Sequence, residues 1–220
     1  MADNNPFISI TSSEKDIIVD RANEKIELLI LINEALEHGG IIVLKGGPGM
    51  GKSTLLNAIE KELKKSSKIS LTREEFTPAV YNKIRSLNVN HAKKTLLILD
   101  DFNNIEMLDR ISQQRVIDLL YNLSQNISIL IVENREGGVE KELEKQGRQF
   151  DKYSLEGLSR EDLKKVVINR LNSVRERASD SLDPFSGAEY DRIYKKSRGN
   201  PRISLLICSA LYDQKTNNII

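Results

Sequence analysis

The chain of 220 residues carries a single cysteine, Cys208, so no internal disulfide can form and a reducing compartment suits it. Cys208 sits in an apolar stretch at 203–211 and reads as a core thiol. Charge of one sign is also missing. Thirty-three basic residues face thirty-two acidic ones, a formal charge of +1, so the balance of the whole chain argues for neither a nucleic acid nor a membrane partner. The longest apolar run, 28–32, falls far short of the roughly 20 residues that span a bilayer. Residues 1–5 lack the basic and apolar regions of a signal peptide, and the expected location is the cytoplasm. The two histidines, His38 and His91, stand apart without metal-ligand spacing, and no nucleophile-elbow motif occurs. Zinc chemistry and acyl transfer therefore find no support.

The composition that remains, 39% hydrophobic and 30% charged, suits a soluble, helix-rich globular protein. Short apolar runs alternate with longer amphipathic segments, the pattern of an α/β domain built on a parallel sheet. Strands are expected at 41–45, 68–71, 95–100, 127–133 and 150–155. Helices are expected at 21–38, 53–65, 79–91, 105–125 and 138–146. After 155 the pattern becomes helical only, with segments opening at Ser159, near Gly187 and at Pro201. The organisation read from this is a nucleotide-binding core over 1–155 and a small helical lid over 156–220.

Gly46-Gly47-Pro48-Gly49-Met50-Gly51-Lys52-Ser53 fits the phosphate-loop pattern G-x-x-x-x-G-K-[ST] at every fixed position. Glycines let backbone N–H groups surround phosphates without side chains in the way. Lys52 reaches the terminal phosphates, the Ser53 hydroxyl suits Mg2+, and Thr54 follows in the same turn. The helix that opens here adds its positive end to the same anion. An apolar strand ending in acids supplies the other half of such a site: Thr95-Leu96-Leu97-Ile98-Leu99-Asp100-Asp101. Asp100 is expected to hold the magnesium and Asp101 to orient or deprotonate an attacking water. A further strand, ending Val132-Glu133-Asn134-Arg135, should lie between these two and offer Asn134 or Arg135 to the γ-phosphate. Gly199-Asn200-Pro201-Arg202 opens the last helix, with proline suited to the first turn and Arg202 directed toward the phosphates.

In this order the motifs resemble the AAA+ ATPases and their relatives, the STAND nucleotide switches. Asn5-Pro6-Phe7 and Ile18-Val19-Asp20-Arg21, with Glu24, resemble the entry segment of archaeal AAA+/STAND and origin-recognition initiator ATPases, which lies beside the adenine. The stretch from Tyr153 through Leu155 and Gly157 to Ser159 resembles their junction into the lid, and Gly199 to Arg202 their sensor 2 or glycine–x–proline motif. The resemblance implies a three-layer P-loop NTPase core with a five-stranded parallel sheet, followed by a helical lid. It implies ATP as the nucleotide, Mg2+ as its cofactor, and Arg21, Pro201 and Arg202 among the nucleotide-binding residues. It also implies a homo-oligomer or larger assembly, with DNA as a conceivable partner and no membrane. An arginine finger, if one exists, is expected at Arg148. Two departures qualify this. AAA+ enzymes usually carry glutamate where Asp101 stands, whereas an Asp-Asp pair is more typical of STAND switches, many of which hydrolyse slowly. No winged-helix or effector domain follows within 220 residues, which suits a minimal ATPase or a part of something larger. Lys83, Arg85, His91, Lys93 and Lys94 form a basic cluster that could track nucleic-acid phosphates, with Tyr81 the one aromatic nearby.

Overall fold

A computed structural model describes residues 5–8, 21–85, 93–134 and 138–217. The chain divides into two compact units. One comprises residues 23–47 and 56–155; the other joins the first 22 residues, residues 48–55 and residues 156–220.

The first unit is built on five parallel strands: β1 (Gly40–Gly46), β2 (Ile69–Glu75), β3 (Lys94–Asp100), β4 (Ser128–Glu133) and β5 (Asp151–Leu155). They lie side by side in the order β2-β3-β4-β1-β5. Every residue of β4 is buried, and so are all but the first of β1, as a parallel sheet covered on both faces requires. The outer strands β2 and β5 are only partly covered. Because the strands are parallel, Gly46, Asp100 and Glu133 end β1, β3 and β4 at one edge of the sheet. One face of the sheet carries Ile41, Val43, Leu97, Leu99, Ile129 and Ile131, packed with Phe76, Phe102 and Val116.

The helices in sequence are α1 (Ala22–His38), α2 (Lys52–Leu63), α3 (Val80–Arg85), α4 (Arg110–Leu123) and α5 (Val139–Lys145). Two departures from the sequence reading are instructive. The helix expected over 105–125 is broken: a 3-10 turn covers Phe102–Met107, and α4 begins afresh at Arg110. Asp109 causes the restart, its carboxylate accepting from the N–H groups of Ile111 and Ser112, each at 3.0 Å. The second strand also runs on past Leu71 through Thr72, Arg73 and Glu74 to Glu75, pairing residue by residue with β3 as far as Asp100. Of the helix expected over 79–91, the part beyond Arg85 lies outside the described residues.

The second unit holds α6 (Arg160–Asn172), α7 (Gly187–Ser197) and α8 (Pro201–Asn217). Ser159 caps α6 through the Asp162 N–H, and Ser186 and Glu189 form a reciprocal capping box on α7. Leu163, Val167, Tyr190, Ile193, Leu205 and Cys208 form its core, and Phe7 joins them from the chain's beginning, its ring against Phe185 and Tyr212. Cys208 is fully buried, which pushes its thiol up to about 12. At that value it stays protonated and inert at neutral pH.

Candidate functional site

The phosphate loop leaves β1 at Gly46 and enters α2 at Lys52. Gly49 (φ 77°) and Gly51 (φ 91°) adopt the left-handed backbone that glycine accepts without strain. Gly49 is further constrained by space, since a Cβ there would stand 2.6 Å from the Arg202 Cβ and 2.9 Å from the Asn200 Oδ1. Two carbonyls of the loop are tied down. Asn200 Nδ2 donates to the Pro48 oxygen at 2.8 Å, and buried Arg21 donates to the Met50 oxygen at 3.1 Å and to the Glu156 oxygen at 2.6 Å. In a trans peptide the N–H points opposite its C=O. Fixing the carbonyls of Pro48 and Met50 on these side chains therefore turns the N–H groups of Gly49 and Gly51 the other way. Each of these two donors is thereby kept free of the carbonyl-side contacts and available to an anion.

Lys52 and Thr54 are half-buried and Ser53 is exposed, all in the first turn of α2. Asn200 also caps α8, its Oδ1 accepting from the Ile203 N–H at 3.2 Å. Pro201 is the first residue of that helix and Arg202 stands exposed beside it. One asparagine thus serves both a helix terminus and the phosphate loop. Sequence reasoning placed Asn200 in a motif without assigning it a role, although asparagine followed by proline is a helix-start signal.

At the sheet edge, Asp100 is buried and engaged on both oxygens. Oδ1 accepts from the Asp101 N–H at 3.0 Å, and Oδ2 pairs with Arg73 Nη2 at 2.5 Å. Asp101 is exposed and adopts the left-handed conformation at φ 49° and ψ 41°. Asn134 follows β4, which lies between β1 and β3 as expected, and its N–H donates to Asn103 Oδ1 at 2.6 Å. Arg135 lies outside the described residues.

On the opposite sheet face, Lys45 Nζ stands 2.6 Å from Glu140 Oε2 and 3.3 Å from Glu133 Oε1. The Glu133 contact is the longer of the two ion pairs. Lys152 adds a second cation to Glu140. Burial pushes the Glu133 carboxyl up, against the attraction of Lys45. Burial also opposes the charge of Lys45, but its two carboxylate partners outweigh that and raise its pKa. These groups, like Arg73, went unassigned in the sequence, where a lone charge inside an apolar strand gives no hint of its partner.

Arg148 is occupied within the sheet unit. It donates to the Ile117 oxygen at 3.1 Å, pairs with Asp118 at 2.5 Å and lies 4.4 Å from the Tyr121 ring centroid. Those contacts give it a structural employment on α4. The basic cluster is partly neutralised too: Lys83 pairs with Glu74, Lys94 with Glu37, and Arg85 lies over the Tyr81 ring. His91 lies outside the described residues.

The residues fit a magnesium ion in kind. Asp100 already accepts a cation, and carboxylate and hydroxyl oxygens are the hard donors Mg2+ prefers. Among the described residues no group of three or more His, Cys, Asp or Glu side chains could form a metal cage.

Comparison with known proteins agrees with this picture at the level of fold and family. A family profile described as "ABC transporter" matches residues 31–177, more than half of the chain. A curated relative, the DNA repair protein RadA of Helicobacter pylori, is 28% identical over 98 residues, covering 44% of this chain and 21% of the relative. Among solved structures, the RuvB Holliday junction branch migration motor of Thermotoga maritima aligns at TM-score 0.54 and 23% identity, over 89% of this chain and 63% of that one. The Drosophila origin recognition complex bound to DNA aligns at TM-score 0.66 and 14% identity, over 99% and 60%. The chain thus spans about a fifth of the curated relative and somewhat under two thirds of these structures.

Proposed function

The chain belongs to the P-loop ATPases, through the family described as ABC transporter, and from that membership we propose that it binds ATP with Mg2+ and hydrolyses it to control its own assembly or its association with a partner. The observation that carries the reading is the phosphate loop itself, with the carbonyls of Pro48 and Met50 drawn aside by Asn200 and Arg21.

In this reading the loop amides, Lys52 and the start of α2 hold the phosphates, with Arg21 and Pro201 beside the nucleotide. Ser53 and Asp100 hold the magnesium, which supplies positive charge against the phosphate oxygens. Asp101 orients or deprotonates the attacking water, and Asn134 and Arg135 sense the γ-phosphate. Arg202, exposed on the first turn of α8 and packed at Gly49, carries the state of the nucleotide into the helical segment 156–220. That segment acts as the lid of a core spanning 1–155. An arginine finger at Arg148 would first have to give up Asp118.

Asp101 favours a slow cycle. Its side chain is one methylene shorter than glutamate and sits exposed on a left-handed turn. This supports the alternative of a STAND-like switch, in which nucleotide binding is the signal and hydrolysis resets it. The test is ATP binding, turnover and light-scattering mass, each with and without ATP–Mg2+ and duplex DNA. Lys52→Ala is expected to weaken ATP binding by about tenfold to a hundredfold, the worth of roughly 1.5–3 kcal/mol for a hydrogen bond to a charged group. Asp101→Asn is expected to retain binding and lose turnover. Nucleotide-dependent assembly that survives Asp101→Asn favours the switch; assembly that vanishes with turnover favours the motor. DNA is tested because the similar structures include a Holliday junction branch migration motor and an origin recognition complex bound to DNA. No described helix is long and apolar enough to cross a membrane.

A further inference from the structure

Arg73 is a polar residue well inside β2, held by three oxygens. Nη2 meets Asp100 Oδ2 at 2.5 Å, while Nη1 meets Glu60 Oε1 at 2.9 Å and Asn57 Oδ1 at 2.8 Å. Its register partner on β3 is Ile98, two residues before Asp100, so both side chains leave the same face of the sheet. The three charged side chains are largely shielded, with relative exposures of 21% for Arg73, 13% for Asp100 and 14% for Glu60. Glu60 does not depend on Arg73, because Lys64 also pairs with it at 2.9 Å. Arg73 is therefore shared between two acids, one of which has a second cation.

We propose that Arg73 is a built-in counter-ion that competes with the divalent cation for Asp100, so that this residue sets how much magnesium the nucleotide site requires. The inference rests on the assignment of Asp100 as the magnesium residue. With both Asp100 oxygens occupied, this shielded carboxylate has partners without a metal, and a lone one would be costly. Arg73 yields Asp100 by moving its guanidinium toward Glu60 and Asn57, which already hold its other nitrogen. A cation left in place would oppose a second one at the same carboxylate.

Two variants pull the equilibrium in opposite directions. Arg73→Gln removes the competitor. The Mg2+ concentration at half-saturation of the ATP-bound protein should fall by about fivefold or more, the effect of removing one charge ~4 Å from another in a partly solvated site. Glu60→Gln removes the alternative partner, leaves Arg73 more firmly on Asp100, and should raise that concentration. The measurements are calorimetric Mg2+ titration and Mn2+ binding by water relaxation, with ATP affinity in excess chelator and unfolding midpoints alongside. A strap that merely shapes Asp100 predicts that both variants weaken the metal, and that result overturns the proposal. So does an unchanged metal requirement in folded Arg73→Gln. If Arg73→Gln fails to fold, Lys64→Gln on the surface decides in its place: it leaves Glu60 to Arg73 alone, so a lower Mg2+ midpoint supports the proposal and an unchanged or higher one overturns it. Wild-type protein that binds ATP in neither chelator nor magnesium brings down the nucleotide-site reading itself, an outcome distinct from ATP binding with no shift between variants.

Discussion

In the sheet unit the charged side chains withdrawn from water are met by opposite charges, whereas in the helical unit Asn200, Arg21 and Tyr190 meet backbone carbonyls. Lys45 lies between Glu133 and Glu140, and Arg73 between Asp100 and Glu60. In the helical unit Asn200 and Arg21 hold loop carbonyls and the buried Tyr190 hydroxyl donates to the Arg160 oxygen at 2.5 Å, while Ser159 and Ser186 cap helices at the surface. The two arrangements fail differently. A capped amide that loses its cap can often turn to water, but a buried ion that loses its partner cannot.

The largest effect is therefore expected at Lys45→Met. It leaves Glu133 without a counter-ion inside the sheet, and breaking such a buried pair destabilises by about 3–5 kcal/mol. Urea unfolding measures it, and a loss below about 1 kcal/mol would erase the contrast between the units. Asn200→Ala should be milder, about 1–2 kcal/mol, since it removes the cap of α8 and the bond to Pro48. It should also weaken ATP binding, which a cap acting on α8 alone would not do. Smallest is the α7 capping box. Ser186→Ala should lose about 1 kcal/mol, read from the thermal midpoint.

The same box gives a pH signature. The Ser186 N–H, with Lys215 and the Ser186 hydroxyl, holds the Glu189 carboxyl down at about 2, below its ordinary 4.5. A carboxyl depressed in the folded state adds stability above its unfolded value and loses it as pH falls through the folded one. The stability difference between wild type and Glu189→Gln should thus be full above about pH 5 and fade toward pH 2. A difference that is flat across that window would show that charge plays no part in the cap.

How far these features could be read from sequence depends on their range. The phosphate loop has fixed spacing, and the strands at 95–100 and 127–133 are apolar runs bounded by polar residues, so both were legible. The break before α4 was not, because Ile105, Leu108 and Val116 keep to one helical stripe across it, as though one helix ran through. Asp109 was the available signal. The length of β2 was hidden for the opposite reason: Thr72, Arg73, Glu74 and Glu75 look like a strand's exit until Asp100 is seen across the sheet. Arg148 illustrates the limit for single cations. Its partners, Ile117 and Asp118, lie about thirty residues earlier, and nothing local announces them.

The left-handed turn at Asp101 also restricts which sequences this scaffold can reach by small steps. Aspartate and asparagine enter that conformation readily; a longer side chain there works against roughly 1–2 kcal/mol of backbone preference. Exchanging Asp101 for glutamate would lengthen the carboxylate and disturb the turn that aims it in the same step. An engineer seeking a faster ATPase would do better to rebuild the turn at Asp101-Phe102-Asn103 first and change the acid afterwards.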